Sequence, residues 1–161
     1  MIKTYQKQIF EYFYKKNIRD FIGVPDSTLK QFIDNAIKKK KIIITTKEEA
    51  AIGIAVGISL SGSVPIVFMQ NAGFANSLST ITSLVQMYEI PIIFLIGWRG
   101  YKKNDAPEHI KIGEIQPNLL ISLGLKSKIV TEKNWKDCCE WALKTITNQS
   151  CALIFRRLSD E

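Results

Sequence analysis

Short apolar runs alternate along the chain with longer stretches whose apolar residues stand three or four apart. Ile2, Tyr5, Ile9, Phe10 and Phe13 recur at helical spacing, which predicts an amphipathic helix over residues 2–14, closed by Asn17. Phe21-Ile-Gly-Val24 reads as a short strand ending at Pro25. Asp26-Ser27 then supplies an N-cap for a helix carrying Leu29, Phe32, Ile33, Ala36 and Ile37. Residues 42–45 are a β-branched strand, and Thr46 is placed to cap a helix with Glu48 and Glu49 in its first turn. A third strand is expected over 65–69, then a polar turn over 70–73 and a helix over 75–88. Residues 90–97 form a strand apolar on both faces. A long polar loop over 98–109 leads to a helix near 117–123, a strand over 128–130, a helix opened by Asn134 and running to Thr147, and a last strand over 151–155.

Strands alternate with helices throughout, and several strands are continuous apolar runs. That pattern predicts an α/β fold: a doubly wound, mainly parallel sheet of six strands with helices on both faces. Ligands of such sheets sit beyond the carboxyl ends of the strands. The loops at 25–27, 45–49, 70–76 and 97–109 are therefore where chemistry is expected.

Composition narrows the class. The 161 residues are 46% hydrophobic and 23% charged, which predicts one globular domain over 1–161 with a core of its own. The formal charge is +7, from 22 Lys+Arg against 15 Asp+Glu, but its distribution matters more than its sum. From Ala50 to Ile96 the only charged side chain is Glu89, so that stretch is expected to be core or interface. Lysines gather at Lys38–Lys41 and at Lys102 and Lys103. The first run is read as a solvated helix end, where cations are favoured, because no aromatics interleave with it. No nucleic-acid partner is expected.

Cys138 and Cys139 are adjacent and Cys151 stands alone, a spacing that suits neither disulfides nor a C-x-x-C metal site. With one histidine, His109, no metal site is expected within the chain. Reduced thiols fit a cytoplasmic setting. The amino terminus carries no apolar signal region, and no apolar run approaches the roughly 20 residues of a membrane span, so no membrane partner is expected.

No G-x-G-x-x-G, Walker A or G-x-S-x-G motif occurs, which removes the common dinucleotide, P-loop and hydrolase readings. What stands out is Glu48-Glu49-Ala-Ala-Ile-Gly-Ile-Ala-Val-Gly57. Acidic residues in a first helical turn are favoured by the dipole, which accounts for them structurally. The body behind them is unusually small: Ala50, Ala51, Gly53, Ala55 and Gly57 would let another backbone approach closely. A carboxylate at the mouth of so dry a contact would hold its proton more tightly, which suits proton chemistry.

At these residues the chain resembles the thiamine-diphosphate-dependent 2-oxo-acid decarboxylases in their pyrimidine-binding domain, from about Phe21 to Leu123. That family has a Glu nine residues before a Gly with small residues between, and Glu48 and Gly57 match the spacing where Glu49 does not. Four loop motifs in order carry the likeness: Phe21-Ile-Gly-Val-Pro-Asp-Ser27, Met69-Gln-Asn-Ala-Gly-Phe-Ala-Asn76, Leu95-Ile-Gly-Trp-Arg-Gly100 and Asp105-Ala-Pro-Glu-His109. They look most like the phosphonopyruvate decarboxylases, with the sulfopyruvate decarboxylase alpha subunit close behind. The phosphonopyruvate enzymes usually read Asn-Glu-Gly where this chain has Lys47-Glu48-Glu49, and Ser-Gly-Leu-Gly where it has Ala72-Gly73-Phe74-Ala75. They also read Asp-Glu-Pro-Gln-His in place of Asp105-Ala-Pro-Glu-His109.

The resemblance implies that Glu48 hydrogen-bonds a pyrimidine nitrogen of thiamine diphosphate and favours the tautomer that deprotonates the thiazolium, the electron sink for decarboxylation. It implies Gln70, Asn71 and Gly73 as a polar wall of the cofactor cleft. His109 is either a proton donor to the substrate or an exposed loop histidine. Asp26 and Ser27 either reach a small 2-oxo-acid substrate or only cap a helix. Arg99 either holds a phosphonate or sulfonate group or forms a surface ion pair. The family binds the diphosphate through Mg²⁺ in a second domain marked by Gly-Asp-Gly, and no Gly-Asp pair occurs here. The expectation is therefore a hetero-oligomer in which a beta-type subunit supplies the Mg²⁺ ligands and this chain is the alpha subunit of an enzyme converting 3-phosphonopyruvate to phosphonoacetaldehyde and CO₂; the alternatives are the alpha subunit of a sulfopyruvate decarboxylase or a non-catalytic regulatory domain of the same fold.

Overall fold

A computed structural model of the chain describes residues 4–102 and 104–157; Ile2 and Lys103, both named above, lie outside the described residues. The elements run α1 (Tyr5–Lys15), β1 (Phe21–Gly23), a 3₁₀ turn (Ser27–Leu29), α2 (Lys30–Lys38), β2 (Ile42–Ile44), α3 (Glu48–Leu60) and β3 (Ile66–Gln70). They continue as α4 (Asn71–Asn76), α5 (Leu78–Thr80), a π-helical turn (Ile81–Gln86), β4 (Ile93–Trp98), α6 (Pro107–Ser122), β5 (Lys126–Val130), α7 (Trp135–Thr145) and β6 (Cys151–Arg156).

The six strands form one sheet in the order β2-β1-β3-β4-β6-β5, and every pairing is parallel. The period of two in each strand divides the core in two, because successive side chains point to opposite faces. Phe21, Ile66, Phe68, Ile93, Leu95, Leu153 and Phe155 face α1, α2 and α7, where Phe10, Phe21 and Phe32 form an aromatic cluster with ring centroids 5.1–5.7 Å apart. Ile22, Val67, Met69, Phe94, Ile96 and Ile154 face the other way, onto Ile52, Phe74, Ile81 and Leu120. The doubly wound parallel sheet read from the apolar runs is the architecture found.

Several boundaries differ from expectation. The polar loop over 98–109 is shorter, because α6 starts at Pro107 and runs through Pro117 rather than beginning near it. Its buried positions are Gly113, Gln116 and Leu120, only one of them a large apolar residue, so no apolar stripe marks its first half. The expected turn over 70–73 is already helical, since α4 follows β3 directly at Asn71. The helix expected over 75–88 is broken into α4, α5 and the π-helical turn. Neither expected cap is made. Asp26 places no side-chain bond on the following turn, and Lys47, not Thr46, flanks α3.

The uncharged middle is core along β3 and β4. In α3 the inward face is Ala51, Ile52, Ala55 and Val56, while Ala50, Gly53, Ile54 and Gly57 face out. Nothing in the described chain lies within 4 Å of a β-carbon built on Gly53 or Gly57, so no close helix contact forms there within the chain. Among the described residues no helix is long and apolar enough to cross a membrane.

Candidate functional site

Strand order turns back between β1 and β3, and the loops that leave the two strands in opposite directions open a crevice at their carboxyl ends. Asp26 and Ser27 follow β1, Glu48 opens α3 after β2, Gln70 ends β3, and Arg99 follows β4. All the residues expected at the site except His109 thus stand at the ends of four adjacent strands.

Glu48 is half-buried in the first turn of α3, and its side chain packs onto Gly73 of α4. A β-carbon on Gly73 would stand 2.5 Å from Cγ of Glu48 and closer still to the carboxylate. Only glycine leaves room for Glu48 there.

Asp26 is 6% exposed, and its carboxylate lies against Gly97, where a β-carbon would come within 3.0 Å of Cγ. Neither carboxylate oxygen has a hydrogen-bond partner, nor has the buried hydroxyl of Thr28. Burial pushes the Asp26 carboxyl above its ordinary value; the nearby dipoles of Thr28 and Gln70 and the positive charge of Arg99 pull it back without cancelling the effect. The turn bearing Asp26 and Ser27 is held from beneath by buried Gln6 of α1, whose Nε2 donates to the Thr28 carbonyl at 2.8 Å.

Arg99 is gripped on two sides. Its Nε and Nη2 donate to Asp105 at 2.8 and 2.6 Å, a bidentate fork, while Nη1 reaches Ser27 Oγ at 3.3 Å. Asp105 also accepts from the backbone N–H groups of Gly100 and Ala106, both at 2.8 Å, and from Arg157 at 3.5 Å. The Arg99 guanidinium and these backbone donors hold the Asp105 carboxyl well below the usual carboxylate range. Asn71 is fully buried and spends both ends of its amide on the Arg99 backbone: Nδ2 donates to the carbonyl at 2.9 Å, and Oδ1 accepts from the N–H at 3.3 Å. It ties the ends of β3 and β4 together.

His109 stands in the first turn of α6 and is half-buried. Its backbone is fixed by Gly100, at φ +70°, where a β-carbon would stand 2.5 Å from the His109 carbonyl carbon. Among the described residues no group of three or more His, Cys, Asp or Glu is placed to hold a metal ion.

Sequence reasoning passed over Asp105 as a site residue. Its only signal was membership of the Asp105–His109 motif, because an ion pair across a loop leaves no periodic trace. Gln6 left no signal distinct from that of any polar helix residue.

A family model described as "Thiamine pyrophosphate enzyme, N-terminal TPP binding domain" matches residues 3–120. The chain belongs to the thiamine pyrophosphate enzyme family. That match takes in every candidate residue of the crevice, from Asp26 to His109. The chain is 38% identical over 104 residues to the sulfopyruvate decarboxylase subunit alpha of Methanococcus maripaludis, covering 63% of this chain and 62% of that one. The same figures hold for the namesake subunit of Methanocaldococcus jannaschii. The match thus spans a little under two thirds of these curated relatives. A phosphonopyruvate decarboxylase of Streptomyces viridochromogenes is 33% identical over 101 residues, covering 61% of this chain and 25% of that one. Among solved structures, benzoylformate decarboxylase from Polynucleobacter necessarius superposes with a TM-score of 0.70 at 18% identity, over 99% of this chain and 30% of that one; the likeness is one of fold.

Proposed function

We propose that this chain is the alpha-type, pyrimidine-binding subunit of a thiamine-diphosphate-dependent decarboxylase, acting on a three-carbon 2-oxo acid that ends in a sulfonate or phosphonate. The observation that carries the reading is the convergence of Glu48 on Gly73 with Asp26, Ser27 and Arg99 at one end of the sheet. Two features of this crevice fit the cofactor. Gly73 is a cradle that a β-carbon would fill, and Asp26 is a buried carboxylate with both oxygens unpartnered.

In this reading Glu48 holds a proton shared with the pyrimidine ring, and Gln70 and Gly73 form the wall against which the ring lies. Thiamine diphosphate supplies, when bound, the electron sink for loss of the carboxylate. Arg99 offers Nη1 and Ser27 its hydroxyl to the anionic end of the substrate. Asn71 and Asp105 position Arg99 through its backbone and its guanidinium. Asp26, whose hold on a proton burial strengthens, and His109 are the residues proposed to deliver a proton to the product.

The cofactor's diphosphate and Mg²⁺ would be held by a beta-type subunit with a Gly-Asp-Gly motif. The outward apolar face of α3, with Ala50, Gly53, Ile54 and Gly57, is the surface proposed to meet it. Sulfopyruvate is the favoured substrate, because the relatives at 38% identity are alpha subunits of that enzyme. Phosphonopyruvate is the second reading, carried by the loop motifs shared with the phosphonopyruvate decarboxylases. The free, buried thiols of Cys138, Cys139 and Cys151 suit a reducing, cytoplasmic setting for the proposed reaction.

The test is co-expression with a candidate beta chain and assay of aldehyde and CO₂ release from each acid with thiamine diphosphate and Mg²⁺. Sulfoacetaldehyde formation abolished by Glu48→Gln is the expected result. Full activity of the Glu48→Gln complex would overturn the assignment of Glu48, and no turnover of either acid would overturn the substrate class.

A further inference from the structure

Gln6 of α1 is fully buried, on a helix face it shares with Tyr5, Ile9, Phe10 and Phe13. An amide in such company costs stability unless both its ends are paired, and both are. Nε2 donates to the Thr28 carbonyl at 2.8 Å, and Oε1 accepts from the Phe32 N–H at 3.4 Å. Thr28 and Phe32 stand four residues apart, so these are the two backbone groups that an unbroken α-helix would bond to each other. The amide is thus inserted into the backbone ladder, at the junction between the 3₁₀ turn Ser27–Leu29 and α2.

With both groups taken by Gln6, the residues ahead of α2 close tighter bonds, three residues apart. The Leu29 N–H donates to the Asp26 carbonyl at 3.1 Å, and the Lys30 N–H donates to the Ser27 carbonyl. A 3₁₀ turn advances about 120° per residue against about 100° in an α-helix. Ser27, three residues before Lys30, therefore stands about 60° around the axis from where a continued α2 would carry it. In its 3₁₀ position the exposed Ser27 presents Oγ to Nη1 of Arg99 at 3.3 Å. A second tie between the start of α1 and α2, Thr4 Oγ1 donating to Gln31 Oε1, leaves the turn untouched.

We propose that Gln6 is a positioning residue of the crevice: it keeps Ser27–Leu29 a 3₁₀ turn and thereby sets the Ser27 hydroxyl beside Arg99, where the two meet the anionic end of the substrate. The part in substrate binding rests on the function proposed above; the setting of Ser27 against Arg99 rests on the backbone geometry alone. Without the amide, the Thr28 carbonyl and the Phe32 N–H are free to bond each other, α2 extends toward Ser27, and Ser27 turns away from Arg99. Gln6 is fully buried and acts through the turn, so its loss weakens substrate binding and spares the chemical step.

Gln6→Met keeps the length of the side chain and removes both hydrogen bonds. In the full chain, the backbone N–H resonance of Ser27 and the Nε–H resonance of Arg99 are expected to shift in Gln6→Met and to stay in place in Thr4→Val. Assayed with the proposed beta-type subunit, Gln6→Met is expected to raise KM for sulfopyruvate roughly ten-fold, about the worth of one hydrogen bond to a charged group, with kcat within about two-fold of the native value. Thr4→Val, which loosens the same helix pair, is expected to leave KM where it is. Unmoved Ser27 and Arg99 resonances in Gln6→Met, an unchanged KM, or an equal rise of KM in Thr4→Val would each overturn the proposal. Gln6→Leu lacks the same two bonds and decides the matter if Gln6→Met does not fold. If the unaltered complex turns over neither acid, the proposed function falls, while the Ser27 and Arg99 resonances still decide whether Gln6 sets the turn.

Discussion

The carboxylate of Asp26 rests on the bare α-carbon of Gly97, a contact between the loop after β1 and strand β4, which β3 separates in the sheet, and possible only because that position of β4 has no side chain. It gives a carboxyl group shelter from water without a hydrogen-bond partner. The consequence for pH is directional. With its folded value raised above the ordinary 3.8, Asp26 costs nothing below that pH, where both folded and unfolded chains hold the proton. As pH rises past 3.8 the unfolded chain gives up its proton first, and stability falls until the folded value is passed. Asp26→Asn is therefore expected to be more stable than the native chain at pH 7, with the advantage shrinking as pH approaches 3.8. Paired urea melts across that range measure it, and a gain that grows toward acid would contradict the account.

Asp105 works in the opposite sense. Its carboxyl is held low by Arg99, so its contribution is complete above 3.8 and disappears as pH falls below the ordinary range. Side-chain exposures of 12% for Arg99 and 6% for Asp105 put the pair among buried ion pairs, where removing one partner leaves an uncompensated charge. Asp105→Asn is expected to lose about 3 kcal/mol at pH 7 in chemical denaturation. Arg99→Lys should not recover the native value, since lysine has no fork to match both oxygens.

Gly73→Ala probes Glu48 without touching it. The added β-carbon would overlap the Glu48 carboxylate, so the side chain must move by an ångström or more. Overpacking of this kind costs about 1–3 kcal/mol of stability, and a misplacement of that size near reacting groups costs about 10²-fold in rate. On the proposed function, the expected result is a folded chain whose thiamine-diphosphate-dependent turnover, assayed with the proposed beta-type subunit, drops by that factor. Unchanged turnover would show that Glu48 and Gly73 do not jointly shape the cofactor wall.

The three cysteines are all buried and free. Burial pushes the Cys139 thiol far above its ordinary value and the Cys151 thiol up to about 12. Ellman's reagent at pH 8 should therefore label none of them promptly in the native chain and all three in urea. Rapid native labelling would place at least one thiol at the surface.

Strands β3, β4 and β6 were legible because the sheet is covered on both faces there, so they appear as unbroken apolar runs. The crevice residues were legible because strand ends in a doubly wound sheet are where ligands go. What escaped was set by contacts between distant positions. Asp26 looks like an N-cap locally, and only the absence of a side chain at Gly97 draws its carboxylate away from the turn. The turns of α6 before Pro117 hid because they pack through Gly113 and Gln116 in place of a large apolar stripe. Asn71 offered a polar group for a cofactor wall, and nothing local shows that its amide is already committed to the Arg99 backbone.

β6 comes after β5 along the chain yet lies between β5 and β4, pairing with both. During synthesis from the amino terminus, β5 therefore emerges before the strand it must join, and the outer edge of β4 stays open until residues 151–156 arrive. That edge is Ile93–Trp98, one of the most apolar stretches of the molecule and a ready template for pairing with another chain. The strand end that presents Arg99 is thus secured on one side only until the last strand slots in. A nascent chain halted before that point would be short of more than a terminal strand: it would carry an unfinished binding crevice and a sticky edge, making prompt arrival of β6 a matter of both function and solubility.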